Sequence, residues 1–306
     1  MPLHLATPLI RSSPLSARSG RSIWLKMDAL QPPGSFKIRG IGFACEEYAR
    51  RGAKRFVSSS GGNAGIAVAY AGRQLSVPVT VVVPESASER AKQLIRLEGA
   101  EVIVHGASWS DANALAMSLL TKEDAFLHPF DDPMLWDGHA TLIDEVAASG
   151  LKPDAVVLSV GGGGLLSGVV AGLVRNRRSD VPVIAVETGG ADSLARSLGE
   201  NRRVELPAIT SIANSLGARQ VSEEAFALAK RHPIHSLVVS DRAAVSASLR
   251  FLDDHRVLTE PACGASLAAV YDDAPVLASF ETVLVVVCGG VTATLPQLQE
   301  WAERLP

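Results

Sequence analysis

The stretch Ala155–Leu165, AVVLSVGGGGL, decides the fold class. Its first six residues are a short apolar run, which is typical of a strand buried on both faces. Four glycines follow, and a helical pattern then extends over Leu165–Arg177. A strand that leads through glycines into a helix is the repeating unit of a parallel sheet covered by helices.

The same alternation of short apolar runs and helical patterns occurs along the whole chain. Strands are expected at Ile23–Leu25, Arg55–Ser58, Val77–Val83, Val102–His105, Ala155–Val160, Val183–Glu187 and Thr282–Cys288. Helices are expected at Ala64–Leu75, Ser88–Glu98, Ser110–Leu120, Leu165–Arg177, Ala243–His255 and Leu295–Arg304. The pattern predicts an α/β protein in which two parallel-sheet domains face a cleft.

Composition narrows the class of protein further. The chain has 306 residues, 47% of them hydrophobic, which is ample for a buried core. A net charge of −3 does not favour a nucleic-acid or membrane-surface partner. Cys45, Cys263 and Cys288 form no CxxC pair, which is typical of a protein from a reducing compartment.

The N-terminal segment allows two interpretations. The first acidic residue is Asp28, and Arg11, Arg18 and Arg21 precede it among many serines, as in transit peptides. Pro2, Pro8 and Pro14 interrupt any amphipathic helix in this segment, however. We therefore predict a cytoplasmic protein.

Three glycine-rich segments follow predicted strands: Ser58–Gly65, Gly161–Gly164 and Gly289-Gly290. In open parallel sheets, ligands bind beyond the carboxyl ends of the strands. Successive glycine N–H groups at the start of a helix favour phosphate, so Gly161–Gly164 is a candidate phosphate site. It is not a Walker loop, because no Gly-Lys-Ser/Thr follows. The alternative is a close contact between helix and sheet.

The segment Ser58–Gly65 offers hydroxyls, backbone N–H groups and the Asn63 amide at another predicted helix start. This combination suits a carboxylate such as that of an amino acid. Ordinary helix capping by serine or asparagine is the alternative.

Lys37 lies in the run Pro33–Gly40, PGSFKIRG, which we expect to be a loop after a strand. A lysine amine with a lowered pKa reacts with carbonyl groups. One such lysine beside phosphate-binding loops suggests a cofactor that carries both a carbonyl and a phosphate, and pyridoxal phosphate (PLP) meets both demands. A solvated Lys37 is the alternative, and Phe36 would then simply pack in the core.

Cys288 ends an apolar strand immediately before Gly289-Gly290. It is either an inert buried cysteine or a weak S–H donor to a ring nitrogen. A thiol, unlike a carboxylate, would not hold a pyridine ring protonated.

Two further clusters carry weaker signals. His232 and His235 form HxxH around Pro233, but a zinc site needs more ligands, so we predict a surface turn. Asp131-Asp132 is expected to form a turn and a helix cap.

Several runs are specific through their order and spacing together: Lys26–Asp28, Gln31–Gly42, Ser59–Gly65, Pro129–Pro133, Gly138-His139, Ser159–Leu166, Glu260–Ala265 and Cys288–Gly290. With these runs, the chain resembles the PLP-dependent serine/threonine dehydratase family of the tryptophan-synthase-β-like fold (fold type II), and the L-serine dehydratases in particular. The resemblance extends from about Leu5 to Leu298.

The resemblance implies a set of cofactor contacts. Lys37 would hold PLP as a Schiff base and, once released, would remove the α-proton of the substrate. The remaining contacts would be Gly161, Gly162, Gly163, Gly164 and Leu165 to the phosphate, Asn63 to the ring hydroxyl, Cys288 to the ring nitrogen, and Phe36 and Ser215 to the ring faces.

The resemblance also implies sites for the substrate and for a cation. The substrate carboxylate would bind to Ser60, Gly61, Asn63 and Ala64. A monovalent cation, usually potassium, would bind to Glu187 and to the backbone oxygens of Gly161, Ala191, Leu216 and Ala218. A homodimer is expected as well.

The implied architecture is a large PLP-binding domain of residues 1–38 and 138–306 and a small domain of residues 39–137, with PLP in the interdomain cleft. The implied reaction converts L-serine to pyruvate and ammonia, and L-threonine to 2-oxobutanoate, in amino-acid catabolism and gluconeogenesis. Two alternatives stay open: a β-replacement enzyme resembling cysteine synthase, and a non-catalytic regulator that binds an amino acid or phosphate.

The sequence departs from the family pattern at three places. Gly61 stands where relatives carry serine or alanine, and a glycine has no proton to give, so we predict elimination without racemisation. Val291-Thr292 stands where relatives commonly show Ser-Asn, beside the predicted Cys288 contact. Pro33 replaces a frequent serine.

Overall fold

Strands and helices alternate along the computed structural model, which describes residues 1–305. The strands are β1 (Leu9–Arg11), β2 (Ser22–Lys26), β3 (Arg55–Ser58), β4 (Val79–Val83), β5 (Glu101–Val104), β6 (Asp124–Phe126), β7 (Ala155–Ser159), β8 (Val183–Thr188), β9 (Ile234–Val239) and β10 (Thr282–Val286). The helices are α1 (Ser13–Ser19), α2 (Lys37–Arg50), α3 (Asn63–Leu75), α4 (Glu89–Leu97), α5 (Trp109–Ser118), α6 (Pro133–Ala148), α7 (Gly164–Arg175), α8 (Ser193–Gly199), α9 (Glu223–Arg231), α10 (Asp241–His255), α11 (Pro261–Tyr271) and α12 (Leu295–Arg304).

The strands form two sheets. The larger sheet has six strands in the order β1-β2-β10-β7-β8-β9, and the smaller has four in the order β5-β4-β3-β6. Every pairing is parallel except that of β1 with β2. The α/β class with two parallel sheets is therefore confirmed.

Each sheet has its own apolar core. All five residues of β7 are buried, as are all five of β4, because helices cover both faces of these central strands. Valine, leucine and alanine make up most of the larger core, and alanine, valine and isoleucine most of the smaller, which agrees with the low aromatic content of the chain.

Helices α2 and α6 cross closely and connect the two sheets. A Cβ added at Gly138 would lie 2.4 Å from the backbone oxygen of Arg39, and one added at Gly40 would lie 2.5 Å from that of Leu135. Only glycine permits this approach of two backbones. The predicted domain boundaries, after residue 38 and before residue 138, fall within these two helices and stay predictions.

Several expectations about local structure were wrong. Lys37 is not in a loop, because it is the first residue of α2. His232 is buried at the end of α9, with its Nε2 2.9 Å from the Val181 carbonyl oxygen, and His235 lies in β9, so no surface turn joins them. Pro14 does not prevent a helix, since it occupies the first turn of α1, where proline is tolerated.

Other local predictions are confirmed. Strand β3 has the expected bounds, and Asp132 caps α6 by accepting a hydrogen bond from the Met134 N–H at 2.8 Å. No helix within residues 1–305 combines the length and the apolar character that a bilayer crossing requires.

Candidate active site

The glycine run at the start of α7 presents an array of free backbone donors. Within residues 1–305, the N–H groups of Gly161–Leu166 donate to no protein atom. They follow β7 at its carboxyl end, and the helix dipole adds positive potential at this point. An anion such as phosphate is the natural acceptor for such a group of donors.

The fold also explains why these residues are glycines. A Cβ at Gly162 would lie 2.3 Å from the ring of Phe130, and one at Gly163 would lie 2.3 Å from the Cβ of Ala225. Gly163 has a φ of +96°, which side-chain-bearing residues rarely adopt. The loop is thus held between the segment after β6 and helix α9, with its N–H groups left free.

The start of α3 forms a second array of donors, at the carboxyl end of β3. The N–H groups of Ser60, Gly61, Asn63 and Ala64 have no acceptor within residues 1–305. Ser60 and Gly61 are half-exposed, so a ligand can reach them. The loop can therefore bind a carboxylate.

Lys37 begins α2 between these two loops. The N–H of Phe36 donates to the carbonyl oxygen of Cys288 at 3.0 Å, which ties the start of the helix to the end of β10. The Lys37 Nζ donates to the carbonyl oxygen of Pro129 at 2.7 Å. Burial lowers the pKa of Lys37 to about 8, although the nearby Cys288 and Glu260 oppose this shift. A lysine with this pKa is an effective nucleophile and base near neutral pH.

Cys288 is buried beside the start of α2. Contact with the Cys263 thiol and burial raise the pKa of Cys288 well above its ordinary value. The side chain is therefore a neutral thiol, as the interpretation of Cys288 as a weak donor requires.

Asn63, the first residue of α3, is held by three groups. Its Nδ2 donates to Oε1 of Glu260 at 2.7 Å and to Oγ of Ser215 at 3.2 Å, and its Oδ1 accepts from the N–H of Val291 at 3.2 Å. Both hydrogens of the Asn63 side-chain amide already have acceptors in the protein. To donate to the ring hydroxyl of PLP as well, one of these hydrogens would have to be shared between two acceptors.

Glu260 is a residue of this site that sequence reasoning did not assign. The run EPACGA was part of the family resemblance, but a glutamate before a proline is an ordinary helix start. Glu260 indeed precedes α11, yet its side chain makes no capping bond and points instead to Asn63. One feature of the sequence could have identified Glu260: its carboxylate is not part of a pattern of charged residues on a helix surface.

The structure brings most of the predicted cofactor and substrate residues together. Lys37 contacts Pro129, the neighbouring Phe130 packs against Gly162, and Asn63 contacts Ser215. Phe36 has its ring centroid 5.1 Å from the Lys37 Nζ. The site therefore lies where the carboxyl ends of β3, β7 and β10 meet, between the two sheets.

A family model described as pyridoxal-phosphate-dependent enzyme matches residues 1–289. The chain belongs to the pyridoxal-phosphate-dependent enzyme family. It is 48% identical to a mouse protein named serine dehydratase-like, over 98% of this chain and 94% of that protein. It is 46% identical to the human L-serine dehydratase/L-threonine deaminase, over 99% of this chain and 96% of the human protein. The crystal structure of an L-serine ammonia-lyase from Rhizomucor miehei superimposes with a TM-score of 0.94 at 35% identity, covering 100% of both chains.

The residues of this PLP-family chain fit the cofactor. The free donors of Gly161–Leu166 suit its phosphate, and the Lys37 amine suits its aldehyde. The neutral Cys288 suits an unprotonated ring nitrogen. The individual contacts stay predictions, and the fit rests on the donors and charges that the chain itself supplies.

The residues predicted to bind a cation are only partly assembled. Gly161 lies against Leu216, since a Cβ at Gly161 would be 2.9 Å from the Leu216 Cα. Both Glu187 oxygens accept backbone hydrogen bonds, from Leu194 N at 2.8 Å and from Ala195 N at 2.7 Å. Burial raises the pKa of Glu187 to about 8. No cluster of three or more His, Cys, Asp or Glu side chains with metal-ligand geometry occurs within residues 1–305.

Proposed function

We propose that this chain is an L-serine dehydratase, which converts L-serine to pyruvate and ammonia and also acts on L-threonine. One observation carries the proposal: Lys37, with its lowered pKa, lies between two helix starts whose backbone N–H groups are free. One array suits the phosphate of the cofactor and the other the carboxylate of an amino acid. The names of the relatives point to the same reaction.

Lys37 moves the proton in this proposal. PLP, when bound, supplies an electron sink next to the Cα of the amino acid. The Lys37 Nζ takes the α-proton, and a pKa near 8 leaves a useful fraction of the amine unprotonated at neutral pH. The Pro129 carbonyl oxygen accepts from the amine at 2.7 Å and holds it beside the segment that follows β6.

Cys288 limits the strength of the electron sink. A thiol that keeps its own proton would leave the ring nitrogen of PLP unprotonated, which would make the cofactor a weaker electron sink. Cys288 would thus favour elimination of the β-hydroxyl over transamination.

The loop Ser60–Ala64 positions the substrate. Its free N–H groups can hold the carboxylate, and this fixes which face of Cα points to Lys37. Gly61 offers no acid on the opposite face, so the α-proton leaves and returns only on the Lys37 side.

Finer points are part of the proposal. A potassium ion at Glu187 and Leu216, a homodimer and a cytoplasmic location are proposed on the family resemblance alone.

Keto-acid release tests the function directly. Pure protein loaded with PLP is assayed with L-serine, L-threonine and D-serine, with and without potassium. We expect pyruvate from L-serine and slower 2-oxobutanoate from L-threonine. We expect no formation of D-serine from L-serine. Cysteine formation from O-acetylserine and sulfide in place of pyruvate would identify a β-replacement enzyme instead. A protein that binds no PLP would be a non-catalytic regulator.

A further inference from the structure

Glu260 is a buried carboxylate at the centre of the cleft, with 3% of its surface exposed. Its Oε1 accepts from the Nδ2 of Asn63 at 2.7 Å. Its Oε2 accepts from the Thr292 Oγ1 at 2.5 Å and from the Thr292 N–H at 3.4 Å. Burial raises the pKa of Glu260, and hydrogen bonds from Ser215, Thr292 and Asn63 oppose that shift. Two of the donors are N–H groups, which can only donate, so these bonds match the ionised carboxylate.

The two oxygens connect different parts of the fold. Asn63 starts α3 beside the small sheet, whereas Thr292 follows β10 of the large sheet. The same turn bonds twice more to the small-sheet side, because the Val291 N–H donates to Asn63 and the Arg90 Nε donates to the Val291 carbonyl oxygen at 2.8 Å. Glu260 and Val291-Thr292 therefore hold Asn63 from two directions.

Thr292 belongs to one of the departures from the family pattern. Its hydroxyl makes the shortest hydrogen bond to Glu260. The position of the carboxylate therefore depends on the threonine at this departure from the family pattern. A charge-assisted bond of this kind is about twice as strong as a neutral one.

Glu260 also lies near the start of α2, because it packs against Gly290, whose N–H donates to the carbonyl oxygen of Gly34 at 2.8 Å. The negative charge of Glu260 favours the protonated form of the Lys37 amine and so opposes the effect of burial. Two histidines face the same amine, His128 and His139, and proximity to Lys37 contributes to the lowering of both their pKa values. Both histidines and the Cys288 thiol are neutral, so Glu260 is the carboxylate whose charge acts on Lys37.

We infer that Glu260 is a positioning residue for the reaction: anchored by Thr292, it fixes the Asn63 amide and sets the charge opposite the Lys37 amine. The inference rests on the proposed function, since Asn63 and Lys37 act through the cofactor there. It adds a residue that controls how Asn63 holds the cofactor and at which pH the Lys37 amine is unprotonated.

Glu260→Gln tests the charge. The glutamine oxygen can still accept from Asn63, but its NH2 group then faces the Thr292 N–H, donor against donor. We expect the apoprotein to bind PLP about tenfold more weakly, as the loss of a charged hydrogen bond predicts. We also expect the midpoint in the pH dependence of the PLP association rate to move lower by about half a unit or more, because Lys37 loses a neighbouring negative charge. In the loaded enzyme, kcat falls more than KM rises.

Thr292 variants test the anchor separately. Thr292→Val removes only the hydroxyl, and we expect PLP affinity to fall about threefold to tenfold. Thr292→Ser keeps the hydroxyl and should restore affinity and pH midpoint to within about twofold and a few tenths of a unit. The matched controls are Thr80→Val and Glu101→Gln, a hydroxyl–carboxylate pair at 2.9 Å in the small sheet, away from the cleft.

Each outcome decides something. Weaker PLP binding and a lower melting temperature without a shift of the pH midpoint in Glu260→Gln would show a merely structural residue and overturn the inference. So would equal effects of Thr292→Val and Thr80→Val. A wild-type chain that binds PLP but does not release keto acid would instead overturn the proposed function, while a wild-type chain that binds no PLP would overturn both.

Discussion

Lys37 carries two tasks, cofactor anchor and proton carrier, so its removal should abolish both. In Lys37→Ala we expect loss of the visible absorption band of lysine-bound cofactor and a fall in pyruvate release of about 10³-fold or more. The exposed Lys122 provides the control, since Lys122→Ala should leave both readouts unchanged. A Lys37→Ala protein with normal turnover would refute the assignment of this lysine.

Gly61 matters because it has no side chain and therefore no acid to offer on the face of the substrate opposite Lys37. A Cβ at this position would lie 3.0 Å from the Cβ of Ala87 and 3.2 Å from Cγ1 of Val83, which is tight packing. Gly61→Ser should therefore lower pyruvate release about tenfold through crowding, and slow D-serine formation should appear because the new hydroxyl supplies an acid on the opposite face. The double variant Gly61→Ser with Ala87→Gly makes room and should recover most of the loss, with Ala87→Gly alone as control. Absence of D-serine from an active double variant would show that the missing acid at residue 61 is not what prevents racemisation.

At the scale of elements, periodicity predicted the central strands and most of the amphipathic helices. Helix α2 escaped prediction because Gly40 and Gly42 lower its helix propensity, and it is stabilised instead by packing on α6. Helix α11 is buried on every side and so shows no amphipathic contrast. Strand β9 is a half-exposed edge strand after Pro233, without a long apolar run.

The crossing of α2 and α6 places Lys37 and is itself testable. A methyl group in Gly138→Ala would meet the Arg39 backbone oxygen at 2.4 Å, and a backbone atom cannot move aside as a side chain can. We expect the free energy of unfolding, measured in urea, to be roughly 1–3 kcal/mol lower than that of the wild type. PLP binding should also be weaker, because the start of α2 shifts. Gly199→Ala, where nothing lies within 4 Å of the added Cβ, is the matched control. Equal stability of the two variants would mean that the crossing tolerates a side chain.

At the scale of the whole molecule, the sequence located the site because its loops follow parallel strands and recur in a fixed order. The contacts between the sheets could not be predicted in this way. Glu260, Thr292 and Asn63 are far apart in the chain. No local pattern says that a carboxylate at the start of α11 bonds both to a turn after β10 of the large sheet and to the start of α3 beside the small sheet. Such long-range polar pairing depends on how the two sheets face each other.

Acid stability depends on histidines that the fold keeps neutral. His128 accepts from the Phe130 and Asp131 N–H groups at 3.2 and 2.8 Å, and His139 accepts from the Gly40 N–H at 3.2 Å. Burial and the nearby Lys37 lower the pKa of His128 to about 4, and burial lowers that of His139 well below its ordinary value. Protonation of either ring at Nδ1 would break these bonds.

The direction of the pH effect follows from these values. Between about pH 6.5 and 4 the unfolded chain binds protons at these rings and the folded chain does not, so the free energy of unfolding falls as the pH is lowered through this window. Since His128 is only half-buried, we expect its share to be roughly 1–3 kcal/mol. His128→Asn keeps an oxygen that can accept from the N–H two residues on but does not titrate, so urea unfolding of this variant should depend less on pH across the window. The exposed His235→Asn should leave the wild-type slope unchanged, and an unchanged slope in His128→Asn would place the acid sensitivity elsewhere.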